Sequence, residues 1–408
     1  MSRSATPRVA MTIVVATVLV DMIGFGIVMP VLPDLIMDLT GQDLAHAAPL
    51  AGWLAVAFAA VQFVAAPIMG NLSDRFGRRP ILIAALVAFA INYLFTAFAP
   101  NILWLFVGRM IAGATGASFS TAYAYVTDIS HEDQRTQNFG LLGMAMGVGF
   151  VIGPALGGFA SELGTRAPFM LAAALASVNA IVAWYMLPES LPKDRRRSFS
   201  LARANPFSAL RRLANHPALR RLSIAIFLVQ LTFMMMNTIW PFYTIARFNW
   251  SPTIIGISLT FSGLLSAGVR GGLIRIVIPR WGGLKVAIGA IMAQIMAHMV
   301  LAFGAVSWVM FLGIGIHTIA GLAYPALSGL ASKFVPSEAQ GELQGAIASL
   351  TGLAAIGGPI LASQTFAMFT GAHASIQFPA APLIIAALLS FCAIITLINY
   401  SLISSAKI

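Results

Sequence analysis

Five side chains in this sequence could carry acid–base or anion chemistry out of contact with bulk water. Asp21, Arg109, Arg270, His298 and His317 each interrupt a long apolar run. An ionisable group at membrane depth costs about 2.5 kcal/mol or more, so each is a functional candidate by default. A carboxyl such as Asp21 can take up and release a proton, and a nearby arginine or cationic ligand competes with that proton. Asp21, with Arg109, is therefore the expected proton-coupling pair. The competing readings are a hydrogen bond from Asp21 to backbone freed by Gly24 and Gly26, and a helix-packing ion pair for Arg109. Arg270 is the least expected of the five. The only acids after residue 194 are Glu338 and Glu342, which fall in a polar break rather than an apolar run. Arg270 can pair with Asp21 across an interface, bind an anionic ligand, or extend to the surface beside Arg275. Either histidine can carry a proton or simply be hydrogen-bonded. No second ligand stands at helical spacing from either, so no metal site is expected.

The surroundings of these residues are unusually apolar. The chain has 408 residues, of which 59% are hydrophobic and 9% charged. Soluble domains carry about 25% charged residues, so a soluble fold is excluded, as is disorder. Crossing a bilayer takes about 20 apolar residues. Runs of that kind fall near 10–33, 51–70, 80–99, 101–127, 138–160, 168–188, 220–243, 253–275, 285–305, 307–331, 343–370 and 378–400. The expected fold is all-α, with twelve membrane helices. The first run is too long for the apolar core of a cleavable signal peptide, and no small-residue cleavage site follows it. The lone Cys392 excludes a disulfide framework.

The net charge of +11 has a pattern. All 24 Lys and Arg except Arg109, Arg166, Arg247 and Arg270 fall at the termini or in alternate breaks between runs. The positive-inside rule then places both termini in the cytoplasm. The excess charge reads as topology plus contact with membrane lipid, and nucleic acid is not an expected partner. The basic stretch 191–217 is the only break long enough to be a linker. It divides the chain into six-helix bundles at 1–190 and 218–408.

Those halves resemble each other at an offset of about 205 residues. Arg75-Phe76-Gly77 falls on Arg280-Trp281-Gly282, Gly108 on Gly313, and Gly153-Pro154 on Gly358-Pro359. Duplicated helix bundles are a transporter architecture, with the substrate near mid-membrane.

The break after the second run reads Gly70-Asn71-Leu72-Ser73-Asp74-Arg75-Phe76-Gly77-Arg78-Arg79-Pro80. Gly70 and Gly77 are expected to let the chain turn, and Asp74 to accept charge-assisted hydrogen bonds. Asp128, at the end of the fourth run, is the expected partner of one arginine. This stretch resembles the loop motif of the major facilitator superfamily. The fifth run, with Gly143, Gly147, Gly149, Gly153, Pro154, Gly157 and Gly158, resembles the antiporter motif of drug-efflux members. Small residues let helices approach closely, and glycine with proline makes a helix bendable. The resemblance narrows to the tetracycline-efflux branch through Asp21-x-x-Gly24-Phe25-Gly26-x-x-Met29-Pro30-Val31-Leu32-Pro33 and Arg247-Phe248-Asn249-Trp250. Ile255-Gly256-Ile257-Ser258-Leu259, Pro325-Ala326-Leu327 and Gly341-x-Leu343-Gln344-Gly345 carry it further, and it spans nearly the whole chain.

The resemblance implies a proton-coupled exporter of small amphipathic compounds, working by alternating access. It implies the proton gradient as the energy source, with no bound cofactor. It also implies a monomer in a bacterial-type cytoplasmic (inner) membrane. Gly70, Asp74, Arg75, Gly77, Arg78, Arg79, Asp128, Gly153, Pro154, Gly157 and Gly158 would then serve conformational gating. Arg270, Asn237, Trp240, Tyr243, Gln294, His317, Tyr123 and Gln230 are the expected substrate contacts, with Met234, Met235 and Met236 as an adaptable wall. The chain departs from that branch at four places. Ser266 stands where the branch carries a histidine, Arg270 where it has a glutamine, and Gln294 and Asn92 where it has aspartates. Tetracycline as the substrate does not carry over, and an anionic metabolite using Arg109 and Arg270 is the alternative. No phosphate-cradling Gly-rich loop with lysine and no nucleophile–His–acid set occurs, so neither ATP hydrolysis nor another enzymatic activity is expected.

Overall fold

The computed structural model describes residues 7–116, 118–199, 216–336 and 339–405. Most of the linker therefore lies outside the described residues, as do Arg3, Arg203, Arg211, Arg212, Glu338 and Lys407. Among the described residues, twelve helices are long and apolar enough to cross a membrane. In the first half they are α1 (Val9–Val28), α2 (Leu44–Phe76), α3 (Arg78–Ala97), α4 (Ile102–Ile129), α5 (Gln137–Leu163) and α6 (Ala167–Met186). In the second half they are α7 (Pro217–Phe248), α8 (Pro252–Trp281), α9 (Gly283–Phe303), α10 (Ser307–Ser332), α11 (Gln340–Thr370) and α12 (Ala381–Tyr400). A helix internalises its own backbone hydrogen bonds, which is what an apolar solvent demands.

The first apolar run is split. After α1 the chain turns and starts a separate short helix, Leu32–Thr40, with Pro33 in its first turn. The sequence before Gly77 also folds differently from expectation. Gly70 to Phe76 continue α2 as helix, and Gly70 has no atom near it that a side chain would meet. Gly70 therefore makes no turn. Polar side chains do not stop a helix that has reached water; Gly77 does, at φ +107°, before α3 begins. Its repeat counterpart Gly282, at φ +77°, separates α8 from α9 in the same way. A side chain at such a φ is strained, which is why glycine stands at both positions.

Contacts divide the chain into two compact units. Unit 1 is Met1–Gly41, Ala57–Asn205 and Ser251–Gly263; unit 2 is Gln42–Val56, Pro206–Trp250 and Leu264–Ile408. Helices α2 and α8 thus each contribute to both. Within unit 1, α1 packs on α4, α5 and α6, while α3 packs on α4 and α6. Within unit 2, α7 packs on α10, α11 and α12, while α9 packs on α10 and α12. The pairing is the same six helices later, so the repeat in the sequence is a repeat in packing. Gly153 lies so close to α1 that a Cβ would come within 2.5 Å of the Ile23 carbonyl oxygen. Gly358 stands in the same relation to α7, 2.9 Å from the Leu231 carbonyl oxygen.

Candidate transport site

In unit 1, Asp21 is buried on α1 and faces Asn179 of α6. Asn179 is itself fixed, donating to the Thr17 carbonyl oxygen at 3.3 Å and accepting from the Thr17 hydroxyl at 3.3 Å. Tyr93 of α3 feels the charges of both Asp21 and Arg109. Its hydroxyl lies over Gly24, where a Cβ would come within 2.7 Å of it. Gly24 therefore makes room for a tyrosine beside the acid. Arg109 has no ion-pair partner among the described residues, so the helix-packing ion pair is not formed. Asn92 lies against Gly108, and its buried Oδ1 has no hydrogen-bond partner. The structure thus brings Asp21, Asn179 and Tyr93 together, with Arg109 within the tyrosine's reach, while Asn92 lies apart against Gly108. Asn179 and Tyr93 were not singled out from the sequence. Asn179 is the one amide in the apolar run of α6, which is the signal that could have marked it.

Unit 2 holds a different set. Arg270 sits in a π-helical turn, Val269–Leu273, inside α8. Its guanidinium lies against Gly321, its charge reaches His317, and it has no carboxylate partner among the described residues of unit 2. The His317 and His298 rings are 5.6 Å apart. His298 is fully buried and neither ring nitrogen has a hydrogen-bond partner. One turn earlier, the Gln294 amide donates to the Thr232 hydroxyl at 2.7 Å. The scaffold is duplicated but this chemistry is not, since the repeat offset places Ile226 opposite Asp21.

The other expected substrate contacts are dispersed. Trp240 and Tyr243 are both buried, packing with Trp250 and Phe248 in an aromatic cluster. The Tyr243 hydroxyl donates to the Leu301 carbonyl oxygen. Both are thus held by packing and, for Tyr243, by a backbone hydrogen bond within unit 2. Asn237 bonds back to the Phe233 carbonyl oxygen, and Gln230 is half-buried. Tyr123 belongs to unit 1, beside Phe139 and the Met146 sulfur.

The charged residues expected to serve gating form a connected polar network in unit 1. Arg78 pairs with Asp74 at 2.6 Å and with Asp128 at 3.1 Å, and donates to the Ser73 hydroxyl at 2.6 Å. Arg79 turns away and donates to the Trp184 carbonyl oxygen at 2.6 Å. Arg75 lies over the Phe76 ring. Glu189 is a partner that sequence reasoning missed: it accepts from the Arg78 backbone N–H at 2.8 Å and packs against Gly77. Ser190 adds a hydrogen bond to Asp128 at 3.1 Å. On α5, Gly149, Gly153 and Gly157 form the stripe facing α1. Gly158 faces Pro252 and Thr253 of α8, and the Pro154 carbonyl lies against Gly256. A side chain at Gly143 or Gly147 would meet only open space.

A profile of the Major Facilitator Superfamily matches residues 14–359. The chain belongs to that superfamily. It is 36% identical to the class C tetracycline resistance protein of Escherichia coli, over 88% of this chain and 90% of that one. It is 33% identical to the class B protein of E. coli, over 84% and 85%. Among solved structures, the human organic anion transporter MFSD10 (TETRAN) superposes with a TM-score of 0.70 at 23% identity, covering 97% and 100%. The nucleoside transporter NupG superposes with a TM-score of 0.77 at 14% identity, covering 96% and 98%. This chain is therefore an integral membrane transporter with the major facilitator fold.

Proposed function

We propose that this transporter exports small amphipathic compounds in exchange for protons, by alternating access, as a monomer in a bacterial-type inner membrane with cytoplasmic termini. The bundles 1–190 and 218–408, joined by 191–217, would be the moving parts. The gradient alone would drive it, with no bound cofactor. The observation that carries this reading is the buried Asp21, facing Asn179 and Tyr93, with the unpaired Arg109 within that tyrosine's electrostatic reach. A buried carboxyl facing only neutral partners can hold a proton and give it up when a cationic substrate arrives. The identity to tetracycline resistance proteins supports export of a drug-like compound. Ser266, Arg270, Gln294 and Asn92 argue that the favoured compound differs from tetracycline. Arg270, Asn237, Trp240, Tyr243, Gln294, His317, Tyr123 and Gln230 are the proposed substrate contacts. The Arg78 network and the α5 glycines are the proposed gate.

Everted membrane vesicles energised with a proton gradient test this, using tetracyclines, cationic dyes and organic anions as substrates. The expected result is uptake of a drug or dye that collapses with the gradient and falls to background in Asp21→Asn. Uptake of anions alone, lost in Arg270→Ala, would overturn the exporter reading in favour of anion transport.

A further inference from the structure

The outer side of unit 1 carries a groove of about 660 Å³ between α3, α6 and the start of the linker. Its two ends differ in chemistry. At one end are Arg79, Arg196 and Glu189, with Trp184 beside them; at the other are Val87 and Ile91. The apolar residues form one helical stripe along α3, and Val87, Ile91 and Trp184 are exposed on the protein surface. From Arg79 to Ile91 the helix rises about 18 Å, the depth of roughly one leaflet's hydrocarbon plus its interface.

The charged end is not balanced internally. One oxygen of Glu189 is occupied by the backbone N–H groups of Arg78 at 2.8 Å and of Ser190 and Leu191 at 3.1 Å. The other stands 3.8 Å from the Arg196 guanidinium. One carboxylate, largely committed to backbone, thus pairs only with Arg196, and the Arg79 guanidinium, which donates to the Trp184 carbonyl oxygen at 2.6 Å, has no carboxylate partner among the described residues. The Nε atoms of Arg79 and Arg196 both lack a hydrogen-bond partner. This end also lies at the start of α3, where the helix favours negative charge.

We propose that this groove binds an anionic glycerophospholipid, its phosphate between Arg79 and Arg196 and one acyl chain along the α3 stripe. Trp184 would mark the headgroup level, as tryptophan does at membrane interfaces. The charge complement selects an anionic over a zwitterionic headgroup, and the length of the stripe selects a lipid over free phosphate. A bound lipid there would tie α3, α6 and the linker start to the membrane surface.

Native mass spectrometry of the full-length protein in detergent, titrated with phosphatidylglycerol or phosphatidylethanolamine, tests the site. The expected result is one phosphatidylglycerol adduct that outcompetes phosphatidylethanolamine. Its affinity should fall about fivefold for each arginine removed in Arg79→Gln and Arg196→Gln. Ala88→Phe, which fills the groove without touching a charge, should weaken the same adduct. Equal binding of the two lipids, or an unchanged preference in the double arginine variant, would overturn the proposal. Loss of the adduct in the arginine variants but not in Ala88→Phe would also overturn the acyl-chain placement. Thermal melts of each variant separate lost binding from lost fold.

Discussion

At the residue scale, Gly77 shows how one position can be doubly constrained. Its φ of +107° excludes a relaxed side chain, and a Cβ there would also collide with the Glu189 carboxylate. Gly282 has the same kind of backbone with open space around it. Gly77→Ala is therefore expected to lower stability by about 2–3 kcal/mol and Gly282→Ala by about 1 kcal/mol. Thermal unfolding in detergent measures both, and equal losses would mean that the Glu189 contact contributes nothing. Arg78 has a comparable role in charge. Removing it leaves Asp74 and Asp128 without their common cation, at an expected cost of about 3 kcal/mol, since the guanidinium side chain is only 10% exposed. Arg78→Lys should recover little, because a point charge cannot reach three acceptors in a fixed fork. A double-mutant cycle of Arg78→Ala with Asp128→Ala should give a coupling of about 1–3 kcal/mol; a value near zero would make the ion pair incidental.

At the element scale, the glycines of α5 separate into contacting and idle sets. Gly153 touches α1 with no spare room, whereas Gly147 faces open space. Gly153→Val should push α1 and α5 apart and abolish folded yield. Gly147→Ala should change stability by no more than about 0.5 kcal/mol. Size-exclusion profiles and melting temperatures decide, and a well-folded Gly153→Val protein would show that the close approach is dispensable. This distinction was not legible in the sequence, because both positions read as small residues in the same run. The helices themselves were legible. The runs 168–188 and 285–305 lie within about two residues of Ala167–Met186 and Gly283–Phe303, since apolar length decides both. The long helices were not: Leu44–Phe76 and Pro217–Phe248 extend well beyond 51–70 and 220–243. A helix leaving the apolar layer continues through polar residues until a backbone signal stops it, and hydropathy does not see that signal. Asn249, at φ 51°, is such a stop after α7. The candidate site was half legible for a related reason. Asp21 and Arg109 stand out by charge, but their neighbours Tyr93 and Asn179 are brought to them by packing of α3 and α6 on the same core.

At the scale of the whole molecule, the basic residues predict which side of the membrane each connection occupies, and the chain carries the means to test it. Cys392 is its only cysteine, so Cys392→Ser gives a background without thiols. Leu163 is 86% exposed at the end of α5, on the side proposed to face away from the cytoplasm. His131 is exposed in the connection between α4 and α5, on the opposite, basic side. The two positions lie at opposite ends of α5, so any orientation must place them on opposite faces. In intact cells, Leu163→Cys in that background should react with a membrane-impermeant maleimide. His131→Cys should react only after the membrane is permeabilised. The reverse pattern would invert the whole topology. It would place the Arg78 network and the groove bounded by Arg79 and Arg196 on the external side. The proposed lipid would then have to come from the outer leaflet, so this labelling and the lipid titration constrain each other.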